Sequence, residues 1–439
     1  MRLLTFKGGV HPPDSKSFSE KEAIKVIFPE TGAKLVYPMH QHIGAPCEPI
    51  VAKGERVLVG QKVGEAKGHV SSPVHASVSG MVVDIVPWLT PGGTDSQSVV
   101  VENDGKMEEL PGLNKHTDYT TLSREQMLDM IKEAGIVGQG GAGFPTHVKL
   151  SPPPDKKIDY FILNAAECEP YLTTDHRVLL EETDVIIRGM QMILRLFPDA
   201  KGIIAIENNK PDALKIVAEK CSDPRIEVVA LQTKYPQGAE KQLISACTGR
   251  EVPSGGLPAD AGCIVNNVDT VIAVERAIHR GRPIMRRVVT VSGKAVANPG
   301  NYKVRIGMKF NDLLNAVGGF KEEPYKIISG GPMMGAAMYT LDVPVVKTAG
   351  AILCLTKDEC EIPPEKSCIR CARCINICPS GLMPLVLNAN VIHNEFDKFK
   401  KNNGVDCIEC GSCSYVCPAK RHLAQSIRYA RKLALTKKI

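Results

Sequence analysis

The sequence predicts a multidomain α+β protein in four parts: an all-β module, an α/β domain with a parallel sheet, a small mixed unit and a helical domain gathered around cysteines. Three observations predict it. The first 115 or so residues run in short valine–glycine beats. From about residue 122 to 285, short apolar runs alternate with amphipathic stretches, the pattern of a parallel sheet with crossover helices. After Lys357, eight of the fifteen cysteines fall in two runs of identical spacing. The predicted boundaries are 1–116, 117–285, 286–350 and 351–439, in keeping with a chain of 439 residues.

Composition narrows the function classes. Hydrophobic content of 43% and charged content of 23% suit a globular protein. Only 5% of residues are aromatic, with Trp88 the single tryptophan, so no stacking surface for nucleic acid is expected. The formal net charge is +6, and residues 418–439 hold Lys420, Arg421, Arg428, Arg431, Lys432, Lys437 and Lys438 without an acid. This tail reads either as a solvated helix face or as a contact for a membrane surface or acidic partner. No apolar run approaches the about 20 residues that span a bilayer. The start, MRLLTFKGG, turns polar too soon for a signal peptide, so a cytoplasmic placement is expected. Many cysteines in such a chain point to metal or redox chemistry rather than disulfides.

In chain order, Val51–Gly68 repeats the valine–glycine beat, and Ser71–Val86 reads as strand, turn at Gly80, strand. This module resembles the barrel-sandwich hybrid of lipoyl and biotinyl carriers. Lys67 falls near the position of the carrier lysine, but EAKG is not the attachment pattern, so a structural role is expected. Ser123 caps a helix that buries Met127, Met130 and Ile131. Ile158–Glu167 and Lys201–Asn209 read as buried strands, Glu182–Leu196 and Pro211–Lys220 as helices. Arg286–Gly319 reads as hairpin, extended segment and helix, compatible with a small β-grasp (SLBB-like) unit.

Both cysteine runs spell C-x2-C-x2-C-x3-C-P. Three sulfurs so spaced converge on three corners of a cubane, while the fourth leaves on a helix and serves the neighbouring cluster. Cys368, Cys371, Cys374 and Cys417 are therefore assigned to one [4Fe–4S] cluster, and Cys407, Cys410, Cys413 and Cys378 to a second. Pro379 and Pro418 set the direction of exit. Zinc, usually held by paired CxxC units, accounts for neither the third close cysteine nor the fourth with its proline. The other seven cysteines have no ligand spacing and read as core thiols.

Gly138-Gln139-Gly140-Gly141-Ala142-Gly143 is a GxGGxG loop able to bring backbone amides close to a phosphate or a flat ring. It lacks the preceding strand of a dinucleotide-binding fingerprint. Four segments in order carry a more specific resemblance. GQGGAGFPTHVK, NAAECEP, YPQGAEKQLI and VNNVDT resemble GRGGAGFPTGxK, NADESEP, YxxGEExAL and VNNVET of the 51-kDa NADH-binding flavoprotein subunit of respiratory complex I. With the N-terminal module and the two-cluster ending, the whole chain resembles the RnfC/RsxC family, from membrane-bound Rnf complexes that couple ferredoxin:NAD⁺ electron transfer to Na⁺ or H⁺ translocation.

The resemblance implies an FMN- and NAD(H)-interacting α/β domain at the cytoplasmic side of the cell membrane, peripheral, alongside the other Rnf subunits, with electrons originating from ferredoxin and no nucleic acid. It also implies roles. Gly138, Gly140, Gly141 and Gly143 would cradle FMN and NAD(H), Phe144 would pack on the adenine end, and Lys149 would neutralise phosphate. Asn164 would bond the flavin, and Glu167 and Glu169 would line the nicotinamide pocket as catalytic residues, Glu169 holding the carboxamide. Tyr235, Gly238 and Glu240 would close the flavin site, and Asn266, Asn267 and Thr270 would bind its ribityl chain and phosphate. Gln139, Ala166 and Ala239 depart from the family's Arg, Asp and Glu, which alters the charge around the flavin. The competing expectations are a soluble NADH–ferredoxin or hydrogenase-linked flavoprotein, and a relay subunit with a vestigial nucleotide site.

Overall fold

The computed structural model describes residues 3–436. Lys437 and Lys438 of the basic tail lie outside them. The N-terminal module is a four-stranded antiparallel sheet, ordered Lys34–Pro38, Asp95–Asn103, Gly80–Leu89, Arg56–Val57, with a three-stranded sheet of Glu48–Pro49, Lys62–Glu65 and Val74–His75. Leu35, Tyr37, Val63, Val74, Val82 and Val99 fill its core. Gly80, expected as a turn, instead opens the long strand opposite Asn103. A Cβ there would stand 1.9 Å from the Glu102 carbonyl oxygen, so the glycine serves a close strand approach. Lys67 lies between Lys62–Glu65 and Val74–His75 and pairs with Glu48.

The second part is the parallel sheet the sequence predicts. Its order is Ile226–Leu231, Lys201–Glu207, Tyr160–Ala165, Cys263–Asn267. Lys201–Glu207 is buried from its second residue onward because helices cover both faces. Thr183–Leu196 packs Ile186, Met190 and Ile193 inward, alongside Val268–Arg280. Helix Arg124–Glu133 starts at Ser123 with a full capping box to Gln126, and Pro211–Lys220 forms over its predicted span with proline in the first turn. The chain runs outward from Tyr160–Ala165 through two strands, then returns to the other side at Cys263–Asn267. That reversal opens a crevice beyond the carboxyl ends of the two adjacent strands, where open α/β sheets hold ligands.

The third part is a six-stranded sheet, ordered Lys25–Val26, Gly300–Arg305, Arg286–Ser292, Ala351–Leu355, Lys326–Ser329, Ala336–Met338. Helix Phe310–Ala316 buries Phe310, Leu313 and Leu314 in its core. The sheet runs past residue 350 through Ala351–Leu355 and takes an edge strand from residues 25–26.

In the fourth part, short helices pack on Leu382, Leu387, Phe399, Ile427 and Ala430. The basic helix Leu423–Leu435 docks back onto this domain: Arg428 and Arg431 both pair with Glu409, and Arg421 just before it pairs with Glu365. Three cations of the tail thus serve internal structure. Among the described residues no helix is long and apolar enough to cross a membrane.

Buried contacts among the described residues join the parts. Lys347 is fully buried and donates to the Gly135 carbonyl at 2.7 Å and to the Pro73 carbonyl. The segment near the N-terminus runs between the second and fourth parts, with Leu4 bridging Leu231, Val10 bridging Tyr235 and the Gly9 amide donating to the Ile377 carbonyl at 2.8 Å.

Candidate functional site

The strand register sets Asn164 beside Asn267 and Leu163 beside Asn266 at the mouth of the crevice. Asn164 donates to the Gly238 carbonyl at 2.8 Å and accepts from the Ala166 amide at 3.2 Å, which joins two of the four sequence segments, and its register with Asn267 brings in a third. Asn267 caps Val268–Arg280 by accepting from the Asp269 amide at 2.9 Å, while its own amide donates to Asp175 at 2.7 Å. Asn266 is 3% exposed, yet neither polar atom of its side chain has a partner among the described residues. A buried amide in that state costs free energy that a ligand's donors and acceptors would recover.

The glycine loop lies over these asparagines. Gly140 and Gly143 have φ of 72° and 70°, the left-handed region that favours glycine. A Cβ on Gly143 would come within 2.8 Å of Thr348, whereas one on Gly141 would meet nothing within 4 Å among the described residues. The loop is pinned from below: the Gln139 amide donates to the Thr270 hydroxyl at 2.9 Å, and the Gln139 side chain accepts from Arg287, which also pairs with Asp269. Phe144 is half-buried at the end of the loop, and Lys149 pairs with Glu240.

The two candidate catalytic carboxylates behave differently. Glu167 accepts from the Asp175 and His176 amides at 2.6 and 3.3 Å and from the Thr174 hydroxyl at 3.2 Å. It thereby caps helix Thr174–Glu181 rather than lying free in the crevice. Glu169 accepts from the Met333 and Met334 amides at 3.1 and 3.0 Å, in the loop before Ala336–Met338. Burial raises its carboxyl to about 7, and those amides with Lys16 act the other way.

Three residues that the motifs do not single out support this region. The buried Lys16 ammonium donates to the carbonyls of Glu167 at 3.0 Å and Glu169 at 3.1 Å, and to that of Leu172. Burial, then the charges of Glu167 and Asp269, raise the Asp175 carboxyl to about 8. Lys210, wholly buried beside Glu207 at 3.8 Å, donates to the Ala166 carbonyl at 2.7 Å. Only Asp175, five residues past the NAAECEP segment, carried a signal of proximity.

The cysteines gather around two cavities. Cys368, Cys371, Cys374 and Cys417 line one, and Cys407, Cys410, Cys413 and Cys378 line the other, each taking its fourth cysteine from the opposite run. The cavities enclose about 370 and 390 Å³ of empty space. Their walls repeat one backbone pattern. Arg370 and Ala372 have φ of 54° and 60°, and the matching Glu409 and Gly411 have 58° and 79°. The Arg370 and Glu409 amides donate to the first sulfur of their runs, and the Leu382 and Arg421 amides to the fourth, all at 3.4 Å. Amides aimed at sulfur suit a cluster, whose potential such bonds tune. Burial, and after it the neighbouring thiolates, push the Cys413 thiol up to about 12. Among the described residues, no three His, Cys, Asp or Glu side chains converge as a single metal ion requires.

The second cavity is the inner one. Cys410 packs with Tyr235, Val10, Cys168 and Met333, and Cys168 accepts from the Gly238 amide at 3.3 Å. Cys368 and Cys371 of the first cavity are exposed.

An α/β crevice that abuts one of two linked cysteine cavities defines an electron-transfer protein of the flavin and iron–sulfur class. Family models agree in order along the chain: an RnfC barrel sandwich hybrid domain at residues 4–106, a Nuo51 FMN-binding domain at 131–276, an SLBB domain at 288–337 and a 4Fe–4S dicluster domain at 367–421. The C-type subunit of the proton-translocating ferredoxin:NAD(+) oxidoreductase complex of Clostridium ljungdahlii is 49% identical over 98% of this chain and 94% of its own length. Its counterpart in the Na(+)-translocating ferredoxin:NAD(+) oxidoreductase complex of Acetobacterium woodii is 46% identical over 98% and 96%. The chain belongs to the RnfC family, as its four motifs and two cysteine runs led us to expect. A chain of an NAD⁺-reducing [NiFe]-hydrogenase shares the fold, with a TM-score of 0.51 and 20% identity over 73% of this chain and 62% of that one. This chain therefore spans less than two thirds of the hydrogenase chain, and the likeness is one of fold.

Proposed function

We propose that this chain is the NAD(H)-facing subunit of a membrane-bound ferredoxin:NAD⁺ oxidoreductase that translocates Na⁺ or H⁺. It would sit peripherally on the cytoplasmic side, against the complex's other subunits, with domains near 1–116, 117–285, 286–350 and 351–439. Two [4Fe–4S] clusters would be held by the two crossed cysteine sets. FMN held in the crevice would supply the two-electron chemistry, one hydride to or from the nicotinamide, and the one-electron exchange with the clusters.

The chain's own residues would do the positioning. Gly138, Gly140, Gly141 and Gly143 keep the loop free of side chains that would hold a flat ring or phosphate away. Asn266 offers its unpartnered amide, with Asn267 and Thr270 beside it, and Asn164, Tyr235 and Gly238 close the opposite wall. Lys149, paired with Glu240, would turn to phosphate, and Phe144 would pack on the adenine. Glu169 would exchange the Met333 and Met334 amides for the carboxamide, while Glu167, as a helix cap, would hold the strand end in place.

The observation that carries this reading is the packing of the crevice wall against the inner cysteine cavity through Tyr235, Cys168 and Cys410. It implies an order: crevice, inner cluster, outer cluster, then a partner at exposed Cys368 and Cys371. The test is iron, sulfide and FMN quantitation on anaerobically purified protein, with spectra before and after NADH. About eight irons, one FMN and bleaching by NADH are expected. Zinc, or about four irons, would count against it.

A further inference from the structure

Behind the glycine loop, between helix Val268–Arg280 and strand Arg286–Ser292, lies a cavity with about 490 Å³ of empty space. Its wall carries Arg276, Arg282, Arg286, Arg287 and Lys303, and Arg305 adds its charge to Arg282 and Arg286. Among the described residues, three carboxylates pair with four of these six cations. Glu182 takes Arg276 and Lys303, Glu109 takes Arg282, and Asp269 takes Arg287. Arg305 forms no ion pair among the described residues; its guanidinium carbon lies 5.5 Å from the Phe28 ring, and Glu109 adds an attractive charge. The Arg286 side chain is partly buried and has neither hydrogen bond nor ion pair among the described residues, and the buried Nε of Arg282 also lacks a partner. Burial, and then the charges of Arg276, Arg282 and Arg305, pull the Arg286 guanidinium down to about 9, so it remains a cation at neutral pH.

Guanidinia crowded together in a partly dehydrated pocket repel one another, and an anion removes that repulsion. A carboxylate brings one negative charge; a phosphate brings more, with oxygens matched to the planar donor forks of arginine. The wall shares Gln139 with the glycine loop but otherwise lies apart from the crevice. Asp269, Ala273 and Arg276 share one face of their helix, whereas Thr270, which holds the glycine loop, is turned about 100° away. We propose that this arginine cavity binds a phosphate-bearing anion, at a site separate from the flavin crevice.

The test is calorimetric titration of inorganic pyrophosphate into the full-length, FMN-saturated protein, beside co-sedimentation with phosphatidylglycerol and with phosphatidylcholine vesicles. Saturable pyrophosphate binding is expected, weakened about tenfold or more in Arg286→Gln with FMN content retained. Arg282→Gln, in the lining, supplies a second variant should Arg286→Gln fail to fold. Arg286-dependent binding to phosphatidylglycerol vesicles alone would assign the phosphate to a lipid headgroup and sustain the proposal. Binding that ignores both substitutions, no binding in either arm, or pyrophosphate displaced by FMN would overturn it.

Discussion

The Tyr235 hydroxyl donates a hydrogen bond of 2.7 Å to the main-chain carbonyl of Cys410. Tyr235 is 1% exposed and belongs to the crevice wall, while Cys410 lines the inner cysteine cavity. One buried bond thus fastens the α/β domain to the cysteine domain at the point where electrons would cross. Tyr235→Phe keeps the ring and deprives the carbonyl of this donor. A loss of about 1–3 kcal/mol in denaturant unfolding is expected, with slower NADH-driven bleaching of the cluster absorbance. Wild-type values in both measurements would remove this bond from the account.

The proposed crossed ligation makes Cys378 and Cys417 separable. Cys378→Ser should disturb the cluster bounded by Cys407, Cys410 and Cys413, although Cys378 stands in the other run. Cys417→Ser should disturb the outer one. Because the inner cluster lies next to the crevice, its loss should block reduction of the outer cluster by NADH, whereas loss of the outer should leave the inner reducible. Electron paramagnetic resonance of the two NADH-treated variants decides between crossed and uncrossed pairing.

Asn266 gives a test with opposite signs. Asn266→Leu removes a buried amide without partners among the described residues and keeps the branched outline of the side chain, with bulkier methyls. The FMN-free protein should gain about 1 kcal/mol of stability, while FMN affinity should fall at least about tenfold. Thermal unfolding with and without FMN reads both, and a variant that loses stability and keeps FMN would sink the proposed role.

The glycines of the loop divide by cause. Gly143→Ala forces a Cβ toward Thr348 at a φ of 70°, and a cost of about 1–3 kcal/mol is expected. Gly141→Ala meets no neighbour, so stability should hold while affinity for FMN or NADH drops. Equal unfolding curves for Gly141→Ala and the wild type, compared with titrations of both ligands, check this.

Glu169 sets a pH dependence. With its carboxyl raised to about 7 by burial, the folded chain keeps a proton that the unfolded chain has already released between the ordinary carboxyl range and about 7. Its contribution to stability therefore declines as pH rises through that window. Function should run the other way. Only the ionised carboxylate accepts at both oxygens, so KM for NADH should fall as pH rises through about 7. Glu169→Gln should flatten that limb; an unchanged limb would assign it to another group.

Much of this site is legible in the chain because its signals are local. A CxxCxxC turn sets where its own sulfurs can point, whatever surrounds it, and Ser123 with Gln126 forms a cap from residues three apart. The strands at 160–165 and 201–207 announce themselves by short apolar runs, Tyr160–Leu163 and Gly202–Ile206. Gly80 misleads because a turn and a close cross-strand approach demand the same small residue. Glu167 stands out by its place in a motif, whereas its carboxylate is occupied by the amides of the helix that follows.

The sequence by itself located the two cysteine runs, the order of the parts and the four crevice segments, since each of these signals is a run of about a dozen residues or fewer, or the order of such runs along the chain. Only the tertiary structure decided which cysteine set lies inward, that Lys16 reaches carbonyls more than 150 residues away, and that Arg286 forms no ion pair among the described residues although Glu182 adds its charge. Burial and charge balance are sums over whatever the fold brings near, and no local pattern in a chain states which distant neighbours those will be.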